Sequence, residues 1–473
     1  MKILYIIHDY WPNYLAGTEN YTHYIAHEMA KLGHEVFIFT AEKDYKNDYS
    51  VERYVEDIEG CRCTKRDCFV PCNDKVGNDE MGERDCFVTP PRKDMCGVNV
   101  IKVHKQDVNT RSLDDSYEDK QIHDIFINIF DEIMPDVVHV QHLWRLSINI
   151  VNYVKSKNIP TIYTIHDLWL ECFNINRLTT DEYKLCSGAS VEKCSLCYKM
   201  ASFRKKQNIL NKIYLKLSRL SGYDKKIKKD KIRKRMKIMQ ELIDNVNLFI
   251  SPSKYLRDEF VSFGIPKDKI IYSRNGMNII SSDSLEIDTS QANCKDSDMV
   301  KFVFTSHIQK LKGIDVLLEA CEILQEKNID NVKIELRGKI GVNESVFLDR
   351  INRLKNVEYK GPFKNTDINN ILGSADYLIL PSIWPENAPL VIDEAYLNNV
   401  PCIVSNIGGM AERVTDGVNG LHFKVSDAHD LADKMEYVVK NRELRTKFIQ
   451  NIPHVKTISE NAVELERIYK DMI

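Results

Sequence analysis

Short apolar runs alternate with helical periodicity along most of the chain. Residues 2–7 form a compact apolar run that is typical of a buried parallel strand. A stretch with helical spacing, 19–32, follows and ends at Gly33, and residues 35–40 then form a second strand-like run. This βαβ order predicts a parallel sheet with helices on both faces. The same order returns in a strand at 137–140, a helix at 147–157 and a strand at 161–165.

A second α/β series occupies the C-terminal half. It comprises predicted strands at 302–304, 332–336, 357–359, 377–380 and 401–405, a helix at 313–326 and another after Asn387, and closing helices at 427–440 and 458–472. We therefore predict two Rossmann-like, doubly wound parallel-sheet domains that face a cleft. Open α/β sheets bind ligands beyond the carboxyl ends of their strands, so two facing sheets suit a two-part ligand.

The pattern also suggests domain limits. We expect a first domain at 1–246, a second at 247–450, and a C-terminal helix within 451–473 that packs back on the first domain. Residues 41–100 interrupt the alternation and are interpreted as a Cys-rich insertion, and the polar stretch 279–300 as a linker.

Composition narrows the class of protein. The 473 residues are 43% hydrophobic and 29% charged, an ordinary globular balance, and the net charge of −3 gives no reason to expect nucleic acid binding. The first apolar run is too short for a signal peptide, and no stretch approaches the ~18 apolar residues of a membrane helix. We expect a cytoplasmic protein.

The segment 203–243 is predicted to be helical and basic. Between Arg204 and Lys237 there are fifteen Lys and Arg residues against two acids. Such a run is most often a solvated helix face. The alternative is binding to anionic lipid headgroups, which would place the protein at a membrane surface beside a lipid-linked acceptor.

Thirteen cysteines are present, and in a reducing compartment they should be thiols or metal ligands. Cys172 and Cys186 precede a Cys194-x2-Cys197 pair, a common zinc-ligand spacing. The sequence leaves two interpretations open, a structural Zn site of four thiolates or four free thiols. A second group could form in the insertion from Cys61, Cys63, Cys68, Cys72, Cys86 and Cys96.

The most informative segment for chemistry is 381–395. A strand ends near Leu380, and the following helix is predicted to begin at Asn387 as N-cap with Pro389 in its first turn. Amides at a helix start favour phosphate. Glu386 lies just before that start and Glu394 two turns inside, and ionised carboxylates accept hydroxyl hydrogen bonds from ribose or hexose diols.

Here the chain resembles the GT-B glycosyltransferases of family 4. Glu386 and Glu394 match the E-x7-E motif of that family, and the segments 381–382, 405–409 and 416–421 resemble its other signatures in the expected order. The resemblance covers nearly the whole chain apart from the insertion. It implies a GT-B fold and a retaining glycosyltransferase of the hexosyltransferase type.

The resemblance also implies residue roles. Glu394 would bind the ribose and Glu386 the transferred sugar, whereas Lys312 would face the leaving diphosphate. His166, at a predicted strand end, would contact the donor sugar. Gly17 would open a phosphate-facing loop. The turn whose backbone would face the sugar and phosphates consists of Asn387, Ala388, Pro389 and Leu390.

One position departs from the family pattern. His307 stands where the family has Arg, and neutral His supplies a hydrogen bond but no fixed charge for the diphosphate. We therefore name Glu386, His166 and Lys312 as catalytic candidates, and Gly17 and His307 among the donor-binding ones. The resemblance implies no metal requirement for catalysis, because the family uses none.

The expected function is transfer of a sugar from a nucleotide sugar, with UDP- or GDP-sugars favoured, to a glycan, lipid-linked or cell-surface polysaccharide acceptor. Two alternatives remain at this stage. One is a catalytically silent GT-B scaffold in polysaccharide assembly, favoured by His307. The other is a metal-dependent interaction module built on the cysteines.

Overall fold

The computed structural model of the protein describes residues 1–12, 16–44, 49–57, 97–106, 113–179, 183–204, 222–279, 299–341 and 346–473. Within these ranges the chain builds two α/β domains, each around its own sheet. The predicted fold class, two Rossmann-like domains with parallel sheets, is confirmed.

Over the described residues, the first sheet has eight strands in the order β3-β4-β2-β1-β5-β6-β7-β8, and only the β3–β4 pair among them is antiparallel. The strands are β1 (Lys2–Ile7), β2 (Glu35–Asp44), β3 (Ser50–Asp57), β4 (Gly97–Gln106), β5 (Val137–Val140), β6 (Thr161–Thr164), β7 (Leu248–Ser251) and β8 (Ile270–Tyr272). Its helices are α1 (Gly17–Lys31), α2 (Lys120–Ile133), α3 (Asn149–Ser156), α4 (Val191–Arg204), α5 (Gly222–Asn245) and α6 (Lys254–Phe263). Helices on both faces explain why the central strands are almost wholly apolar.

In the part of the chain that the structure describes, the second sheet has six parallel strands in the order β11-β10-β9-β12-β13-β14. They are β9 (Val300–Thr305), β10 (Val332–Arg337), β11 (Val357–Gly361), β12 (Tyr377–Leu380), β13 (Cys402–Ser405) and β14 (Gly420–Phe423). The later helices are α7 (Ile314–Glu326), α8 (Val346–Ile351), α9 (Ile368–Gly373), α10 (Leu390–Leu397), α11 (Gly408–Arg413), α12 (Ala428–Lys440), α13 (Glu443–Gln450) and α14 (Ile458–Lys470).

The expected boundary between 246 and 247 is wrong. Strands β7 and β8 extend the first sheet, with Ile162 of β6 beside Leu248 of β7, and the second sheet begins only at β9. An apolar run shows that a strand forms but not which sheet it joins, so periodicity alone could not place this boundary.

The last helix, α14, lies against the first domain. Its apolar face packs with β1 and α1 in one buried cluster. The Tyr21 hydroxyl donates to Asn461 Oδ1 at 2.7 Å, and His139 Nδ1 lies 2.5 Å from the hydroxyl of Tyr469. The C-terminal helix that follows the second domain therefore packs on the first domain, and these contacts restrain the relative position of the two domains.

The segment expected as an insertion, 41–100, includes residues that belong to the first sheet. Strand β2 continues to Asp44, and the hairpin strands β3 and β4 occupy 50–57 and 97–106. The six cysteines between them lie outside the described residues, as does most of the expected linker. In the basic segment, α4 and α5 confirm helix at both ends, and 205–221 lie outside the description.

Candidate functional site

The carboxyl ends of the two sheets face each other across a crevice, and Asn387 joins them. Its side-chain Nδ2 donates to the carbonyl oxygens of Ile165 at 3.0 Å and His166 at 3.1 Å. Its Oδ1 accepts from Ser253 Oγ at 2.6 Å. The turn after β12 in the second domain is thereby docked on the end of β6 in the first.

This contact explains why the sequence analysis predicted the wrong first residue for the helix after Asn387. Helix α10 begins at Leu390 with Pro389 as its N-cap, and no side chain caps it. An Asn side chain at an N-cap normally accepts from its own helix amides. Here the Asn387 side chain is used between the domains instead, so the predicted N-cap was wrong.

Glu386 is buried next to this turn and is held by two groups. Ser382 Oγ donates to Oε1, and Lys312 Nζ lies 2.8 Å from Oε2. The Lys312 ammonium also lies 5.4 Å from the Trp384 ring centre. The structure thus brings together Glu386 and Lys312, which lie 74 positions apart in the sequence. Their low exposure to solvent strengthens the electrostatic attraction between them.

Two glycines allow this close approach. Gly313, at φ +75°, follows Lys312, and a Cβ there would lie 1.7 Å from the carbonyl oxygen of Pro381. The Gly409 amide donates to the Glu386 carbonyl at 2.7 Å, and a Cβ on Gly409 would lie 1.3 Å from the Asn387 carbonyl oxygen. Backbone contact of this kind tolerates only glycine.

Glu394 is the acid without a fixed partner. Its neighbour Asp393 is paired with Arg274 at 3.2 Å and Arg413 at 2.6 Å, whereas the Glu394 carboxyl makes no hydrogen bond or ion pair within the described ranges. Burial, and secondly the charge of Asp393, raises the pKa of Glu394 to about 7. A desolvated, unpaired carboxyl of this kind is a candidate ligand-binding group.

His307 lies at the exposed mouth of the crevice. Burial of its ring, together with the positive charges of Lys312 and Lys339, lowers the pKa of His307. The ring is therefore neutral at pH 7. Arg274, which could have replaced the missing family arginine, is engaged with Asp393.

His166 stands at the end of β6, opposite the Glu386 turn. Its Nε2 lies 2.7 Å from Gln141 Oε1. Burial and the nearby His142 lower the pKa of His166 to about 3, so this ring is also neutral. The position agrees with the expected one at a carboxyl strand end, facing the second domain.

Gly17 is the first residue of α1, with Ala16 as N-cap. A Cβ added to Gly17 would lie 3.5 Å from Leu390 Cδ1, so the start of α1 faces the start of α10. Ala388 and Pro389 lie between the Asn387 contact and that helix start and are partly exposed. The amide ends of two helices thus approach the same part of the crevice.

Sequence reasoning missed several polar groups on the first domain's rim. His8 Nε2 lies 3.6 Å from Glu19 and 3.7 Å from Asp9. His142 Nε2 lies 3.2 Å from Asp167 Oδ2. Each follows a strand end or opens α1, and that adjacency is the signal that could have found them.

The four cysteines of the expected zinc site lie near one another. Burial raises the pKa of the Cys194 thiol, and the adjacent Cys186 and Cys197 act in the same direction. Cys172 is likewise near Cys194. They form no disulfide with one another, and in the described part of the chain no three of their sulfurs come within 4.8 Å of one another.

Two family matches divide the chain as the two domains do. Residues 111–279 match the family described as Glycosyltransferase Family 4, and residues 287–455 match Glycosyl transferases group 1. The fold is that of GT-B glycosyltransferases, and the chain belongs to the family 4, group 1 glycosyltransferases. Among the described helices none is long and apolar enough to cross a membrane.

Curated relatives match part of the chain. An "Uncharacterized 41.2 kDa protein in cps region" of Klebsiella pneumoniae is 28% identical over 197 residues, 41% of this chain and 52% of that protein. A D-inositol 3-phosphate glycosyltransferase of Paenarthrobacter aurescens is 25% identical over 211 residues, 43% of this chain and 52% of that one. The matches thus span about half the length of these relatives.

A solved structure shows the same fold over the full chain. Anabaena HepE in complex with UDP and glucose superposes with a TM-score of 0.59 and 14% identity, covering 100% of both chains. At this identity the likeness concerns the fold alone.

Proposed function

We propose that the protein is a retaining glycosyltransferase that transfers a hexose from a nucleotide sugar. The observation that carries the proposal is the pair of half-buried Lys312 and buried Glu386, with the unpaired Glu394 on the adjoining helix. A glutamate held by a lysine can bind a sugar hydroxyl while the ammonium group faces a diphosphate.

The roles follow from position. Lys312 stabilises negative charge on the leaving diphosphate, and the amide ends of α1 and α10 face the same anion. Glu386 orients the transferred sugar and Glu394 binds the ribose diol. Neutral His166 donates or accepts a hydrogen bond at the sugar without adding charge. His307 adds a neutral donor at the diphosphate.

The donor we propose is a UDP- or GDP-hexose. HepE, which shares the fold, is described with UDP and glucose. The acceptor we propose is a glycan, lipid-linked or cell-surface polysaccharide, in line with the Klebsiella pneumoniae relative described as lying in a cps region. Acceptor contacts would come from the rim of the first domain.

Donor hydrolysis tests the proposal without a known acceptor. Wild-type protein should release nucleotide from one class of UDP- or GDP-sugar. At subsaturating donor, Glu386→Gln should abolish most of this release and Glu394→Gln should lower it by about tenfold. Glu326→Gln, an exposed acid at the end of α7 in the same domain, is the matched control. Equal hydrolysis by all four proteins would contradict the proposed site.

Retention of configuration has its own test. We propose that the acceptor hydroxyl attacks from the face that the diphosphate leaves and passes its proton to the departing phosphate oxygen. NMR of the first-formed product should show the donor's anomeric configuration. The opposite anomer would disprove retention while leaving glycosyl transfer intact.

A catalytically silent scaffold is the second candidate, and neutral His307 is the observation that favours it. A scaffold would bind nucleotide without turnover. The substitution His307→Arg would introduce a fixed positive charge at this position and tests whether its absence prevents turnover. Activity in the variant but not in the wild type would support the scaffold.

We also propose that Cys172, Cys186, Cys194 and Cys197 hold a structural Zn²⁺. Arg235 is buried beside them and donates to the carbonyl oxygens of Leu170 and Glu171, which anchors the loop that carries Cys172. Zinc should protect these thiols from alkylation. Identical alkylation with and without zinc would disprove this site.

Attachment to an anionic membrane through the basic segment remains a proposal. Some of its described bases are already paired: Lys234 lies 2.8 Å from Glu118, and Lys231 lies 3.5 Å from Asp114. Pelleting with phosphatidylserine vesicles at low salt should therefore depend on the residues between α4 and α5. Failure to pellet would end this proposal.

A further inference from the structure

A second polar cluster lies between α1 and strand β3, beside the loop that follows β1. His23 and His27 lie one turn apart on α1, and Glu56 is the penultimate residue of β3. One ligand atom from each residue lies within 4.8 Å of the other two. None of these residues takes part in the proposed sugar transfer.

The contacts in this cluster converge on a single oxygen. Glu56 Oε2 lies 3.3 Å from His23 Nδ1 and 3.1 Å from His27 Nε2. The Tyr10 hydroxyl also donates to this oxygen, at 3.0 Å, and lies 3.1 Å from His23 Nδ1. No described group bonds to Glu56 Oε1. Three contacts on one carboxylate oxygen exceed the two that its lone pairs accept well.

The spacing suits a tetrahedral metal ion. With metal–ligand bonds of about 2.0–2.1 Å, the ligand atoms at two corners of a tetrahedron are about 3.3 Å apart. The two distances to Glu56 Oε2 agree with that edge. Imidazole nitrogens four positions apart on a helix, completed by a carboxylate, form a ligand set typical of zinc.

We propose that His23, His27 and Glu56 form a binding site for a divalent transition metal, with Zn²⁺ as its ion. A water molecule would complete the coordination. The Tyr10 hydroxyl is placed to hold the Glu56 carboxylate as an outer partner, and such partners orient metal ligands. Trp11 stacks on the His23 ring with centres 4.7 Å apart.

The site would connect three segments. Glu56 belongs to the β3–β4 hairpin, both histidines to α1, and Tyr10 and Trp11 to the loop after β1, which begins at the crevice with His8. A bound ion would therefore tie the hairpin to the loop that borders the crevice. The proposal does not depend on glycosyl transfer.

Metal stoichiometry of the full chain tests the site. After chelation and reloading with Zn²⁺, wild-type protein should hold about one more zinc per chain than His23→Asn/His27→Asn or Glu56→Gln, as expected for a single three-residue site. His104→Asn is the matched control, because His104 pairs with Glu52 at 2.9 Å on the same hairpin without a third ligand. It should keep the wild-type zinc content.

Cobalt separates this site from the cysteines. Co²⁺ bound by thiolates gives a sulfur-to-metal charge-transfer band, whereas imidazole and carboxylate ligands give only the visible ligand-field bands. The variants should lose part of the ligand-field absorption and keep the charge-transfer band. Glu56→Gln preserves the side-chain shape, and far-UV circular dichroism verifies its fold. Equal zinc content in wild type and a folded Glu56→Gln variant would overturn the proposal.

Discussion

The two sides of the crevice are built in different ways. In the second domain, Glu386, Asn387 and Glu394 come from a single strand-to-helix turn, within nine consecutive residues. In the first domain the rim residues are scattered: His8 and Glu19 flank one loop, whereas His142 and Asp167 follow two other strands.

This difference decides what a sequence can reveal. A turn that supplies several ligand groups leaves a motif with fixed spacing. A rim assembled from separate strand ends leaves single histidines and acids, which have no common spacing. The candidate residues of the second domain could therefore be named from the sequence, whereas those of the first domain could only be located at strand ends.

The sharpest test of this comparison is Glu386→Gln, for which we expect the largest effect. Removing the charge that pairs with Lys312 should lower turnover by on the order of 10²–10³-fold, as for other groups that stabilise transition-state charge. Initial rates of donor hydrolysis and transfer measure it. A loss below tenfold would show that the motif side does not dominate.

Glu394→Gln should act mainly on binding. Because a carboxylate accepts charge-assisted hydrogen bonds, nucleotide affinity should fall by about 10-fold, or ~1.4 kcal/mol. The pKa of Glu394 is about 7, so wild-type affinity should weaken as the pH falls from 8 to 6, and the variant should lose this dependence. Calorimetric titration of UDP or GDP at both pH values measures both effects.

The same substitution should stabilise the ligand-free protein. A raised carboxyl pKa means that the folded state binds more protons than the unfolded state, so stability declines as pH rises between the two pKa values. Glu394→Gln should gain about 1–3 kcal/mol of unfolding free energy at pH 8 and little at pH 5. Denaturant titrations at the two pH values test this, and no gain at pH 8 would contradict the inferred burial cost.

Asn387→Ala probes the junction between the two sides. It removes hydrogen bonds to Ile165, His166 and Ser253 that hold the domains together, and we expect a loss of about 1–2 kcal/mol in stability. KM for the donor should rise more than kcat falls, because the crevice opens while Glu386 and Lys312 remain. An unchanged KM would show that the docking is not needed for donor binding.

The smallest effect is expected on the scattered rim. Asp167→Asn keeps the side-chain shape but weakens the contact with His142, and a few-fold change in acceptor KM with an unchanged rate of donor hydrolysis is expected. If hydrolysis fell as steeply as in Glu386→Gln, the first domain would share the donor chemistry and the comparison would fail.

Errors in the sequence analysis came from contacts between distant segments. The strand at 247–251 was identified, yet its sheet was not, because pairing with β6 depends on the intervening fold. Asn387 was predicted to cap its own helix, yet its side chain bonds to the first domain. In both cases a partner far along the chain determined the outcome.

By itself the sequence determined the elements and the order of the donor motif. Apolar periodicity specifies strands and helices locally, and the spacing of Glu386 and Glu394 follows from one turn. Only the tertiary structure decided that Lys312 meets Glu386, that Asp393 is paired while Glu394 is not, and that His23, His27 and Glu56 converge. The physical reason is that charge, burial and hydrogen bonding depend on distances through space, which separation along the chain does not set.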